Sequence, residues 1–274
     1  MAINFDIIIE TPEHTVDMKS ALETLKGISD TTRCIADTVL TGRVIKKQYH
    51  TNNVRTSLKE NFKGSYGQVF SIDIYDPVLE AKFKSIGKPC FTEVITYFIS
   101  ESLFLESKEL TPKAQKIINN LGEKSEELVE HLRASSLESI HEISTKFNHD
   151  IKFRYRKSRN KQVVLGSFNR TTARTLQATL EDVEEDIVVS ITRLNIYTGN
   201  GRLQLKGTDE TIAFGFNLKY KAVKVEAKKI FSTNLNDNNG LNEDKWKYLR
   251  LSASPMKLRG GKVVKYIIKG FYEN

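Results

Sequence analysis

Hydrophobic and polar positions change rhythm twice along the chain. Near its start Phe5, Ile7 and Ile9 alternate with Asn4, Asp6 and Ile8, which predicts a strand over 3–10. Helical spacing follows. One helix is expected from about Val16 to Leu25, stopped by Gly27, and a second that Ser29 or Asp30 can cap and Gly42 ends. Residues 54–62 and 68–75 read as a hairpin around the Lys63–Gly67 turn. Pro77 opens a helical stretch broken at Gly87-Lys88-Pro89. A stronger helix then runs from about Cys90 to Phe104 with a wide apolar face. These elements predict an α+β domain over residues 1–105. Residues 106–149 read as a short helical connector, with Thr111 as cap, Pro112 at the first helical position, and breaks at Gly122 and Ser135-Ser136.

From Asp150 the period drops to two. Ile151, Phe153 and Tyr155 lie on one face, and Lys152, Arg154 and Arg156 on the other. A turn at 158–160 and a return strand follow, and Asn169 caps a short helix to about Leu180. Strands are expected at 187–197, 201–207 and 211–217, a helix at 221–235, and two last strands at 246–254 and 262–269. The last two join through Arg259-Gly260-Gly261-Lys262. Within 187–197 the apolar face changes sides: Val189 and Ile191 share one, Leu194 and Ile196 the other. A bulge lets both sets be buried, and barrels use bulges in this way. The expected fold is therefore an α+β N-terminal domain, a short helical connector and, over 150–274, a small basic β-barrel. The element order over 187–269 resembles the OB-fold, a five-stranded barrel whose second and third strands and adjoining loops bind oligonucleotides. An SH3-like barrel is the alternative.

Composition narrows this only a little. The 274 residues are 39% hydrophobic and 28% charged, the mixture of an ordinary globular protein. No apolar run approaches 18 residues, so no membrane span is expected. The opening residues read as a strand and not as a signal peptide, since no basic region precedes an apolar core. Cys34 and Cys90 form no CxxC pair and imply neither a disulfide framework nor a zinc site. A cytoplasmic location is the expectation.

Charge changes the picture more. The net charge is +8, but residues 1–150 hold 18 basic and 22 acidic side chains, whereas residues 151–274 hold 24 and 12. A basic domain attracts polyanions through its field and through counterion release. The row Lys152, Arg154, Arg156, Lys157, Arg159 and Lys161 puts six cations within ten residues, an arrangement suited to a phosphate backbone. The competing reading is an edge strand guarded by charge. The turn Thr198-Gly199-Asn200-Gly201 is primarily structural, because Asn and Gly accept positive φ. Arg202 and Lys206 lie on the strand that would bind in an OB-like barrel, and Tyr197 would offer a stacking surface beside them. Lys221, Lys224 and Lys228 read as a solvated helix face.

Candidate chemistry is sparse. The Lys63–Gly67 turn lacks the ending of a phosphate-binding loop. Asp76, Glu80 and Lys82 start a helix, where nuclease carboxylates and lysine need a strand, and Glu226 and Lys228 share that fault. The five histidines show no HxH or HExxH spacing. No catalytic residue, metal ligand or cofactor is expected. The leading expectation is a non-catalytic nucleic-acid-binding component with DNA or RNA as partner. A protein-interaction or oligomeric accessory component is the alternative, and a metal-dependent nuclease a second. The stretches ALETLKGISDTTRCIADTVLTGRV, KGSYGQVFSIDIYD, LNIYTGNGRL and VKYIIKGFY are similar to an uncharacterised bacterial two-domain family of mobile-element or defence-cluster type. The resemblance implies an α+β domain joined to a five-stranded barrel and an accessory role in antiviral defence. It implies no catalytic residue.

Overall fold

The computed structural model describes residues 2–12, 15–47, 49–62, 66–158 and 160–272. They form two compact units, one of Met1–Leu103 with Ser107–Leu176, the other of Phe104–Glu106 with Gln177–Asn274.

The first unit is built on β1 (Ala2–Ile9), β2 (Val54–Phe62), β3 (Tyr66–Ile74), β4 (Ile151–Ser158) and β5 (Lys161–Phe168), in the order β2-β3-β1-β4-β5. All neighbours are antiparallel. The period-two rule holds along β1, where Ile3, Phe5, Ile7 and Ile9 are buried. Phe5 lies between Phe70 and Phe153, with ring centroids 5.4 and 5.2 Å away. Residues 151–168, expected to begin the barrel, instead return to this sheet, because Phe153 and Tyr155 complete its apolar face beside Phe5.

The two expected N-terminal helices are one helix, α1 (Met18–Thr41), capped by Asp17 and ended by Gly42 at φ 72°. Gly27 does not stop it. A Cβ there would stand 2.5 Å from the Ile140 nitrogen, so this glycine permits close backbone approach. After α2 (Pro77–Ile86) and α3 (Lys88–Ser102) come α4 (Pro112–Leu121), α5 (Glu123–Arg133), α6 (Ser136–Ile140) and α7 (Glu142–Phe147). These last four occupy the expected connector, yet Ile118, Leu128, Leu132, Leu137, Ile140 and Ile143 are fully buried in the first core. The short helix α8 (Arg170–Leu176) ends the unit, and the Asn169 side chain accepts from the amides of Thr171 and Thr172 as expected.

The second unit holds β6 (Thr179–Leu180), β7 (Glu185–Leu194), β8 (Gly201–Leu205), β9 (Thr211–Phe216), α9 (Val225–Asn238), β10 (Leu249–Lys257) and β11 (Val263–Phe271). Five strands close a barrel in the ring order β7-β8-β9-β11-β10. The β9–β11 pair is parallel and the other four are antiparallel. A register shift between Ile191 and Arg193 supplies the expected bulge. Val189, Ile191, Leu203, Phe214, Phe231 and Leu251 fill the interior.

This partition moves the charge. The barrel unit has 16 Lys and Arg against 13 Asp and Glu, a net of +3, and the first unit has 26 against 21, a net of +5. The basic excess that begins at residue 151 therefore belongs to the first sheet as well as the barrel. No described helix is long and apolar enough to cross a membrane.

Candidate functional site

The basic row on β4 meets Asp6 on β1 and Glu10 just past its end. The register sets Asp6 opposite Arg154 and Ile8 opposite Lys152. Arg154 grips Asp6 with two bonds, Nε to Oδ1 at 2.6 Å and Nη2 to Oδ2 at 3.0 Å. The Arg156 Nε lies 4.0 Å from the same carboxylate, and Lys152 pairs with Glu10. Asp6 is fully buried, so its pair with Arg154 is largely desolvated and holds the two strands together, whereas Lys152 and Glu10 stay about two-fifths exposed. Lys157 and Lys161 are exposed near the end of that hairpin. Arg159 lies outside the described residues.

Arg202 is also structural. It is buried on β8, donating to Thr211 Oγ1 at 2.8 Å and to the Thr211 carbonyl at 2.7 Å. Its third contact is the Phe104 carbonyl, and Thr211 Oγ1 donates to Glu106 Oε2. Residues 104–106 thus meet β8 and β9 at Arg202 and Thr211. Lys206 is exposed, its ammonium 5.2 Å above the Tyr248 ring. Tyr197 is exposed on the turn between β7 and β8, where the Asn195 side chain accepts from the Tyr197 and Thr198 amides.

That turn serves Tyr220. Gly199 has φ 75°, and a Cβ on it would lie 2.2 Å from Tyr220 Cδ2. Tyr220 meets Phe216 in a tilted contact with centroids 5.5 Å apart, and Phe216 meets Phe231 likewise at 5.0 Å. This aromatic ladder supports one end of the barrel, where β9 exits, the 3-10 turn Tyr220–Ala222 follows and α9 begins. A cavity of about 440 Å³ opens there. Phe216, Phe231, Ile268 and Phe271 give it an apolar lining, and Lys224 and Lys269 give it charge.

Lysines concentrate around this end. Lys219, Lys221, Lys224, Lys228 and Lys229 come from the turn and the start of α9, and Lys269 from β11. Lys228 sits 4.9 Å over the Tyr220 ring, and Lys269 donates to Asn217 Oδ1 at 3.1 Å. Lys219, Lys224, Lys229 and Lys269 form no ion pair among the described residues. Around β10 and the neighbouring loops the opposite holds. Lys257 is shared by Glu181 and Glu185, Arg250 pairs with Asp186, and Lys247 pairs with Asp237. The hydrogen bonds that Lys257 donates to Glu181 and then Glu185 raise its pKa. Sequence reading singled out Lys221, Lys224 and Lys228 only as a solvated face, and missed Lys269 because it is 45 residues beyond Lys224. A signal was present in KYKAVKVEAKK, where lysines crowd one short stretch with a single acid.

Among the described residues no three His, Cys, Asp or Glu side chains are grouped to hold a metal ion. The model for a domain of unknown function (DUF7946) matches residues 9–164, a span that belongs to the first unit except for Phe104–Glu106. No curated protein and no solved structure matches the chain.

Proposed function

The chain belongs to the DUF7946 family, and we propose that it binds single-stranded nucleic acid through the lysine-bearing end of its barrel. One observation carries this: Lys224 and Lys269, which form no ion pair among the described residues, line an open, partly aromatic cavity, while Arg250 and Lys257 on β10 are paired with carboxylates. The barrel type supports the reading. Its strands close in the order first-second-third-fifth-fourth, with the third and fifth parallel and a helix between the third and fourth, which favours OB over SH3-like architecture. Ammonium groups act on phosphates as point charges, so sequence preference is weak. A component that holds nucleic acid for partner enzymes fits the accessory role in a defence system that the two-domain resemblance implies.

The test is fluorescence anisotropy with labelled single-stranded DNA and RNA across a salt series. Log K should fall by roughly 0.7 per phosphate neutralised for each tenfold rise in salt. The variant Lys219→Glu/Lys224→Glu/Lys229→Glu should lose binding, and Lys157→Glu/Lys161→Glu should retain it. No retention by the parent at low salt, or parent-like affinity in the triple variant, refutes the proposal.

One feature of the first unit favours a second reading, self-association. Strand β5 is an edge of the sheet, and its Val163 and Val164 are 44% and 47% exposed. Such an edge is a template for pairing. A native mass of two or more protomers that Val163→Lys returns to one would establish it. A monomer at high concentration would dismiss it.

A further inference from the structure

We infer that the barrel-end cavity takes a single nucleobase, with the flanking phosphates held by Lys224 and Lys269. The inference rests on the nucleic-acid reading above and adds what the strand places in the protein. The volume, about 440 Å³, falls within the roughly 300–1,000 Å³ of small-ligand pockets. Phe216 and Phe271, both part-exposed, offer aromatic surface, and base–aromatic stacking tolerates any base because every base has a π-face. The polar lining is short. Lys224 and Lys269 supply charge, and the Asn217 carbonyl oxygen is engaged by Lys269, which leaves the amide NH2 to donate to an acceptor on the base edge. A fatty acid would bring one carboxylate to two ammonium groups. A nucleotide within a strand brings a phosphate on either side of its base, which matches both.

The position is open for a blocking variant. Ala222 lines the cavity from an exposed position in the 3-10 turn, so Ala222→Trp fills the mouth without entering the core. The experiment compares a labelled thymidine tetranucleotide with a tetramer of abasic spacers of equal charge, at fixed low salt, on the parent and on Ala222→Trp. The parent should hold the thymidine tetramer about tenfold tighter than the spacer, the fold-change expected of one stacked base, and Ala222→Trp should erase the difference. Equal affinity for the two tetramers on the parent overturns the base-pocket inference and leaves phosphate binding standing. No binding of either tetramer removes the nucleic-acid reading itself. Binding of a fluorescent fatty acid that Ala222→Trp abolishes, with the two tetramers held equally, reassigns the cavity to an acyl anion. If Ala222→Trp does not fold, the tetramer comparison on the parent decides alone.

Discussion

Replacing Asp37 by Asn should change stability in a way that depends steeply on pH. Asp37 lies on α1, 2% exposed, and its Oδ2 meets no hydrogen-bond donor among the described residues. Burial pushes its pKa up from 3.8 to about 6, against the pull of Arg33 one helical turn earlier. At 1.36 kcal/mol per pH unit, the ionised carboxylate weakens the fold by about 3 kcal/mol relative to the unfolded chain. The sign follows from proton uptake. The folded state binds the proton more tightly, so the penalty is absent below pH 3.8 and grows as pH rises through 6. Asn keeps a buried polar group and removes only the charge. The stability difference between Asp37→Asn and the parent should therefore shift by about 2–3 kcal/mol in favour of the variant from pH 4 to pH 7.5.

A second group sharpens the measurement. His141 is buried, its Nδ1 donating to the Leu137 carbonyl and its Nε2 accepting from Thr172 Oγ1. Burial lowers its pKa from 6.5 to about 4. Its contribution is complete above pH 6.5 and is lost as pH falls toward 4, opposite in sign to that of Asp37. In the parent the two slopes offset one another. In Asp37→Asn the histidine slope stands alone, and the variant should lose stability on acidification faster than the parent. Urea denaturation at both pH values, read as midpoint and slope, decides. The same stability difference at pH 4 and pH 7.5 would refute the reasoning.

Other expectations follow from the same physics. Arg154→Met removes both hydrogen bonds to the buried Asp6 carboxylate, leaving the 4.0 Å Arg156 contact, and should destabilise by about 3 kcal/mol in urea titrations, with partial recovery in Asp6→Asn/Arg154→Met, because the pair and not its surface charge is at stake. Gly199→Ala drives a Cβ into Tyr220 at positive φ. It should lower the barrel's melting temperature, seen by near-ultraviolet circular dichroism, whereas Gly207→Ala, with open space around it, should lose only the roughly 1 kcal/mol of left-handed strain. Burial pushes the Cys34 thiol up to about 12 and raises Cys90 as well. Cys90 also lines a cavity of about 520 Å³, so a thiol reagent should modify it ahead of Cys34 in the folded protein, as mapped by peptide mass spectrometry.

Local pattern made most elements legible. The alternation along β1, the paired glycines between β10 and β11, and the face change in β7 that marks its bulge all follow from nearest neighbours. Partnership was not legible. Asp6 and Arg154 are 148 residues apart, and no count of charge along the chain shows that a basic row lies against acidic partners. A trace of it exists in the matched polar spacing, Asp6 on one strand with Glu10 just past its end, and Arg154 and Lys152 on the other. Gly27 misled for a related reason. Its missing side chain reads locally as a helix stop, yet it answers to Ile140, more than a hundred residues on. The lysine end of the barrel gathers the end of β9, the start of α9 and the end of β11, which only closure of the barrel unites.

The three residues Phe104–Glu106 have a bearing on whether the barrel can stand alone. They lie inside the sequence of the first unit but count with the barrel, giving Arg202 its Phe104 acceptor and Thr211 its Glu106 partner. The chain therefore passes from one unit to the other three times, and a single break after Leu176 would carry off a barrel without those two contacts. A fragment of residues 177–274 should therefore be less stable than the barrel in the whole chain.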